Sequence, residues 1–96
     1  MSAKLINETI RNLKASKSNI RCADMKGYLK SLGFEVRNGK KGGHKLYFHD
    51  GISGFISGSY NCGHGKNPEI KPAYVGKLIT MLEHYKSELI KYFGEE

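Results

Sequence analysis

We expect neither a membrane-spanning segment nor a signal peptide in this chain. No apolar run approaches the roughly 20 residues of a transmembrane helix, and charge interrupts the first eight residues too early for a signal peptide. No helical segment opposes a basic face to a bulky aromatic one. The two cysteines, Cys22 and Cys62, do not form a recognisable disulfide framework. We therefore expect a soluble protein without membrane contact, in a reducing, cytoplasmic setting.

Acidic residues are also scarce relative to basic ones. Nine Asp and Glu face sixteen Lys and Arg, which gives a net charge of +7 over 96 residues. This excess predicts an acidic partner, and nucleic acid is the default choice. A hydrophobic content of 39%, with six Tyr and four Phe, predicts one folded domain spanning residues 1–96.

Two apolar series with helical spacing occupy the first third of the chain. The first consists of Ile6, Ile10 and Leu13, and it predicts a helix of about four turns that ends in a polar segment near residue 16. The second consists of Met25, Tyr28, Leu29 and Leu32. Gly33 follows this series as a helix-ending glycine would.

Three strands are predicted next. Phe34–Arg37 alternates apolar and charged residues, a glycine-rich turn follows it, and His44–His49 forms the second strand. We expect the third strand at Ser53–Ser57 and an extended loop from Ser59 to Lys71. Pro72 then opens a last helix of some six turns. Tyr28, Tyr74 and Tyr85 have the spacing of helix residues that face a core, so we expect them to pack in the interior. The central α-β-β-β-α order predicts an α+β fold like that of double-stranded-RNA-binding domains, with a three-stranded antiparallel sheet and an extra N-terminal helix.

The stretch from Gly42 to His49 carries the most chemical information. Gly42 and Gly43 precede His44 at the head of an apolar strand, and Lys40 and Lys41 lie just before them. Histidine exchanges protons near neutral pH, glycines admit a ligand close to the backbone, and lysines attract phosphates. We assign His44 as a general base or acid. Lys40, Lys41, Lys45, Lys71 and the amides of Gly42 and Gly43 are assigned to phosphate binding.

The alternation of the second strand bears on two of these assignments. His44 shares its side with Leu46 and Phe48, which we expect to be the core side, so a structural role for this histidine is the alternative. Tyr47 has the opposite parity, so we expect it on the open side of the sheet, where it would stack a base.

The remaining candidate functional residues are interpreted mainly as structural or solvent-exposed side chains. His49 is expected to be an exposed strand-end residue, although a role as proton donor is the alternative. Cys62 and His64 lack the partners that a zinc site needs, so no metal or cofactor is predicted. Lys71, Lys77 and Lys86 either continue the basic surface or form a solvated face.

The residues from Ile20 to about Tyr85 resemble the HicA family of bacterial toxins. The resemblance is carried by Ile20-Arg21, Asp24, the run Leu29–Arg37, Gly42-Gly43-His44 with the strand to His49, and Ile70–Val75. It implies a HicA-like core at residues 20–93, preceded by a helical extension at residues 1–16. It also implies a metal-independent ribonuclease that cuts mRNA and is silenced by a HicB-type antitoxin.

The family's catalytic histidine falls on His44, but two neighbours depart from the pattern. Gly43 stands where the family usually has Ser or Thr, and Lys45 stands where a second histidine is frequent. The leading hypothesis is therefore an mRNA-cutting endoribonuclease. A non-catalytic RNA-binding module on the same fold is the alternative, and a basic adaptor that associates through its last helix is the third.

Overall fold

Four helices and three strands make up the described part of the protein. A computed structural model describes residues 2–16, 19–40, 42–52, 54–55, 57–63, 66 and 68–93. The elements are α1 (Ser2–Ala15), α2 (Cys22–Ser31), β1 (Glu35–Asn38), β2 (His44–Phe48), β3 (Gly58–Asn61), α3 (Pro72–His84) and α4 (Lys86–Tyr92). The protein is thus α+β, and the positions of the first two helices and first two strands are confirmed within a few residues.

The strands form one antiparallel sheet in the order β1-β2-β3. In the second pairing, His44 lies opposite Asn61, and Lys45 lies opposite Tyr60. The prediction of a third strand at Ser53–Ser57 was wrong, because Gly54 and Phe55 lie in a turn and β3 falls inside the segment expected to be a loop. Ser53 and Ile56 lie outside the described residues.

One face of the sheet belongs to the hydrophobic core. Tyr47 and Tyr60 are 5% and 0% exposed, and the Tyr47 ring contacts the Phe34 ring edge-on at a centroid distance of 5.7 Å. Residues from every helix complete this core: Ile6, Leu13, Met25, Leu29, Val75, Leu78, Leu82 and Leu89. Since successive strand residues point to opposite faces, the other face carries His44, Leu46 and Phe48.

The last helical segment is bent rather than continuous. Tyr85 has φ −100° and ψ 14°, which separates α3 from α4. The Tyr85 N–H still donates to the Met81 carbonyl, and the Tyr85 carbonyl still accepts from the Leu89 N–H. The single helix that we expected is therefore bent at Tyr85, but these backbone hydrogen bonds are kept. The Tyr85 ring packs edge-on against Phe55 at 5.2 Å. No helix in the described ranges is long and apolar enough to cross a membrane.

Helix α1 packs against the last two helices rather than extending into solvent. Its residues Ile6 and Leu13 are fully buried in the common core, and Lys14 lies 2.8 Å from the Glu83 carboxylate of α3. The N-terminal helix is therefore an integral part of the folded unit.

The two cysteines are bonded to each other. Cys22, the first residue of α2, and Cys62, the residue after β3, form a disulfide with their Cα atoms 5.7 Å apart. No disulfide framework was recognisable in the sequence, because the paired cysteines are 40 positions apart and only the fold brings them together. Disulfides are rare in reducing compartments, so the cysteines no longer support the expectation of a reducing setting.

Loss of this disulfide is expected to lower stability. Closing a loop of this length in the unfolded chain corresponds to about 3–4 kcal/mol of unfolding free energy on the chain-entropy account. The Cys22→Ser/Cys62→Ser double variant should show this decrease in urea denaturation. Dithiothreitol should lower the stability of the wild type by a similar amount and leave the double variant unchanged. Equal stability of wild type and double variant would contradict the bond.

The pKa values of the buried tyrosines Tyr47 and Tyr60 are both raised. Burial raises the pKa of Tyr47 from 10.0 to about 12, and burial together with the charge of Tyr47 raises the pKa of Tyr60 to about 12. The Tyr60 hydroxyl has no hydrogen-bond partner in the described part of the chain. A buried hydroxyl without a partner reduces stability.

Both tyrosines should therefore weaken the fold in alkali. Below pH 10 they are neutral in both states, but between about pH 10 and 12 the unfolded chain ionises first, so the free energy of unfolding falls. Tyr60→Phe should raise stability at pH 7 by about 1 kcal/mol and reduce the alkaline loss. The exposed Tyr92 supplies the control, since Tyr92→Phe should leave the stability at pH 7 unchanged in denaturant titrations. An unchanged alkaline loss in Tyr60→Phe would contradict the assignment.

Candidate functional site

The open face of the sheet borders a cleft of about 910 Å³. This size lies within the range of small-ligand sites in proteins. The cleft is lined by Gly39, Lys40, Gly42, His44, Leu46, Asn61, Cys62, Gly63, Glu69, Ile70, Lys71 and Pro72. It therefore joins the β1–β2 turn, the ends of β2 and β3, and the start of α3.

His44 stands at the head of β2 with its ring in this cleft. The expectation that its side of the strand faces the core was wrong, because Tyr47 and Tyr60 occupy the core face and His44 has the opposite parity. Its Nδ1 lies 2.7 Å from Oδ1 of Asn61. The imidazole is half-buried, so one nitrogen is held by a side chain and the ring remains accessible from the cleft.

Two glycines shape the backbone around this ring. A Cβ atom on Gly39 would collide with Cδ2 of His44 and stand 3.0 Å from its Cγ, so only glycine admits the ring in this position. Gly43 has φ +83°, and a Cβ there would stand 2.5 Å from the Cys62 carbonyl oxygen. A side chain therefore does not fit at this position.

The predicted phosphate-binding residues divide into two groups. Lys40, Gly42 and Lys71 line the cleft, and neither lysine has a carboxylate partner within the described ranges. Lys45 points to the other face of the sheet, where its Nζ donates to Oδ1 of Asn38 at 2.5 Å. Lys41 lies outside the described residues.

One carboxylate lies among these cations. Glu69 lines the cleft, and its Oε2 is 3.4 Å from Nη1 of Arg21. Arg21 therefore offsets the negative charge of Glu69, and Lys40 and Lys71 leave the cleft with a positive balance. The first turn of α3, which follows Lys71, adds the partial positive charge of a helix N-terminus.

The predicted base-stacking residue is inaccessible. Tyr47 is buried between the rings of Phe34, Phe55 and Tyr60, so the expectation that it faces the open side was wrong. The apolar surface that does line the cleft comes from Leu46, Ile70 and Pro72. The alternation correctly predicted that Tyr47 and His44 lie on opposite faces of the sheet. We expected Tyr47 on the open face and His44 on the core face, and the structure shows the reverse.

His49 is buried rather than exposed as expected. It is 4% exposed, its Nε2 donates to the Leu32 carbonyl at 3.0 Å, and its Nδ1 accepts from the Gly51 N–H at 3.1 Å. Its ring also contacts Phe34 and Tyr92 edge-on. Both ring nitrogens are occupied by backbone groups, so His49 is a structural residue with no proton to give a ligand.

The possible metal ligands are not assembled into a site. The described ranges contain no group of three or more His, Cys, Asp or Glu residues that could hold an ion. Cys62 is committed to the disulfide, and His64 lies outside the described residues.

Two residues of the site were missed by the sequence interpretation. Asn61 was placed in a loop, and Tyr74 was assigned to the core, yet Nδ2 of Asn61 donates to the Tyr74 hydroxyl at 2.9 Å. The signal that would have revealed Asn61 is the alternation of Gly58–Asn61, whose buried member is Tyr60. No sequence signal indicated the contact of Tyr74.

No family model, no curated protein and no solved structure matches the chain.

The close contact at Gly39 can be tested directly. Gly39→Ala should displace the His44 ring and destabilise the fold by about 1–3 kcal/mol, as overpacking does. Gly42→Ala is the matched control from the same turn, because no atom lies within 4 Å of a Cβ there. Ring signals of His44 in NMR spectra should move in the first variant and stay in place in the second. An unmoved signal in Gly39→Ala would contradict the packing.

Proposed function

We propose that the chain is a metal-independent endoribonuclease of the HicA type, which cuts mRNA with His44 as general base. The observation that carries this proposal is the position of His44, whose ring opens onto a cationic cleft on the free face of the sheet. The sequence resemblance places the family's catalytic histidine at the same residue.

The reaction uses a nucleophile that RNA itself supplies. Nε2 of His44 takes the proton of a ribose 2′-hydroxyl, and the 2′-oxygen attacks the neighbouring phosphorus. The bond from phosphorus to the 5′-oxygen of the next nucleotide breaks, and this oxygen takes a proton from water in the open cleft. The products are a 2′,3′-cyclic phosphate and a 5′-hydroxyl. A positioned general base contributes about 10²–10⁴-fold to such a step.

The surrounding groups suit an RNA strand. Lys40 and Lys71 lie on the cleft walls, where they attract backbone phosphates and stabilise charge that develops on the phosphorane. Leu46, Ile70 and Pro72 supply apolar area that fits the face of an unstacked base. Phosphate and base therefore each meet a complementary part of the cleft.

The proposed protein partner is a HicB-type antitoxin. An inhibitor of this site has to cover the His44 ring and neutralise Lys40 and Lys71, so its contacting surface is acidic. The proposed site of action is the cytoplasm, where the mRNA substrate is found.

A non-catalytic RNA-binding module remains the second candidate. It is favoured by Gly43, which lacks the family's hydroxyl, and by Lys45, which points away from the cleft toward Asn38. The two candidates differ in whether bound RNA is cut.

Cleavage of a fluorescent single-stranded RNA by the purified protein tests the proposal. The wild type should cut it in the presence of EDTA and leave 2′,3′-cyclic phosphate ends. His44→Ala should reduce the rate about 10²–10⁴-fold while retaining most of the RNA affinity. His84→Ala is the matched control, since His84 is an exposed residue at the end of α3.

Two results would exclude the nuclease. Cleavage by His44→Ala at the wild-type rate would remove His44 from the mechanism. Salt-sensitive RNA binding without cleavage by the wild type would instead identify the binding module.

A further inference from the structure

Three side chains from three separate elements form a hydrogen-bonded chain that ends at His44. Nδ1 of His44 in β2 lies 2.7 Å from Oδ1 of Asn61 in β3, and Nδ2 of Asn61 donates to the hydroxyl of Tyr74 in α3 at 2.9 Å. The β2–β3 register places Asn61 directly opposite His44. The pairing of β2 with β3 therefore places Asn61 beside the His44 ring, and the first turn of α3 places Tyr74 beside Asn61.

The orientation of the Asn61 amide decides which nitrogen of His44 carries the proton. An amide oxygen only accepts hydrogen bonds, so Nδ1 of the neutral ring must be the donor. Nε2 then keeps its lone pair and can accept a proton. The opposite orientation would put the amide N–H against Nδ1 and the ring proton on Nε2, which removes the base.

Tyr74 anchors the other end of the amide. Its hydroxyl accepts from Nδ2 of Asn61 in the arrangement in which Oδ1 faces His44. The Tyr74 ring is held in turn by Lys77, whose Nζ lies 5.6 Å from the ring centroid. Gly39 packs against the imidazole from the β1–β2 turn and restricts its rotation.

We infer that Asn61 is a positioning residue that fixes His44 in the tautomer with its proton on Nδ1, and that Tyr74 anchors the Asn61 amide. The inference rests on the proposed function for its catalytic consequence, whereas the tautomer itself is a property of the protein alone. An incorrect histidine tautomer is very costly in enzymes that use histidine as a base.

The tautomer is measured without RNA. Long-range proton–nitrogen NMR spectra at a pH where the ring is neutral should show His44 protonated on Nδ1, with signals assigned by their loss in His44→Gln. Asn61→Ala should shift the ring toward the Nε2-protonated form. Asn61→Asp keeps an acceptor opposite Nδ1 and should retain the wild-type tautomer. Ser59→Ala, an exposed position on the same face of β3, is the control and should change nothing.

Cleavage kinetics supply the second readout. Asn61→Ala should lower kcat about 10–100-fold with KM within about twofold, since a tautomer defect acts on the chemical step. Asn61→Asp should restore most of the rate. Tyr74→Phe retains the ring beside Lys77 and should lower kcat several-fold, which tests the relay even if Asn61→Ala folds poorly.

The outcomes separate this inference from the proposed function. A wild-type His44 protonated on Nε2, or full activity and an unchanged tautomer in Asn61→Ala, would overturn the inference. Absence of cleavage by a wild type that shows the Nδ1 tautomer would overturn the proposed function and leave the positioning contact established.

Discussion

The pairing of β2 with β3 is the constraint on which the remaining structure depends. This register buries Tyr47 and Tyr60 on one face and turns His44 and Asn61 toward the other. A slip of one residue would exchange the two faces and place the imidazole in the core. The burial of two large aromatic rings therefore fixes the orientation of the site, because their apolar area cannot be returned to water without a large loss of stability.

The same region links the stability of the fold to the geometry of the cleft. Cys62 follows β3 and contacts both the β1–β2 turn and α2. Its N–H donates to the Gly43 carbonyl at 2.6 Å, and its own carbonyl leaves no room for a side chain at Gly43. Its sulfur is bonded to Cys22 of α2. The glycine-rich turn that delivers His44 is thus tied to the start of a core helix. Rigid support of this kind is what a catalytic side chain requires.

How far the sequence predicts this structure depends on how local each signal is. The spacing of Ile6 and Leu13 identifies α1, because one helix face must be apolar to pack. The third strand was misplaced because Gly58 and Asn61 are turn-type residues, and only pairing with β2 makes them a strand. The alternation of β2 predicts that His44 and Tyr47 lie on opposite faces of the sheet. Which of these faces packs against the helices depends on contacts between residues far apart in the sequence. The disulfide and the Asn61–Tyr74 contact depend on such distant pairings as well.

The most direct test of this account is a crystal structure with a short RNA that carries 2′-deoxyribose at the reacting nucleotide, which cannot be cut. The scissile phosphate should lie in the cleft, with Lys40 and Lys71 on its oxygens, and the ribose C2′ should lie beside the unprotonated Nε2 of His44. RNA bound across another surface, with the His44 ring unoccupied, would contradict it.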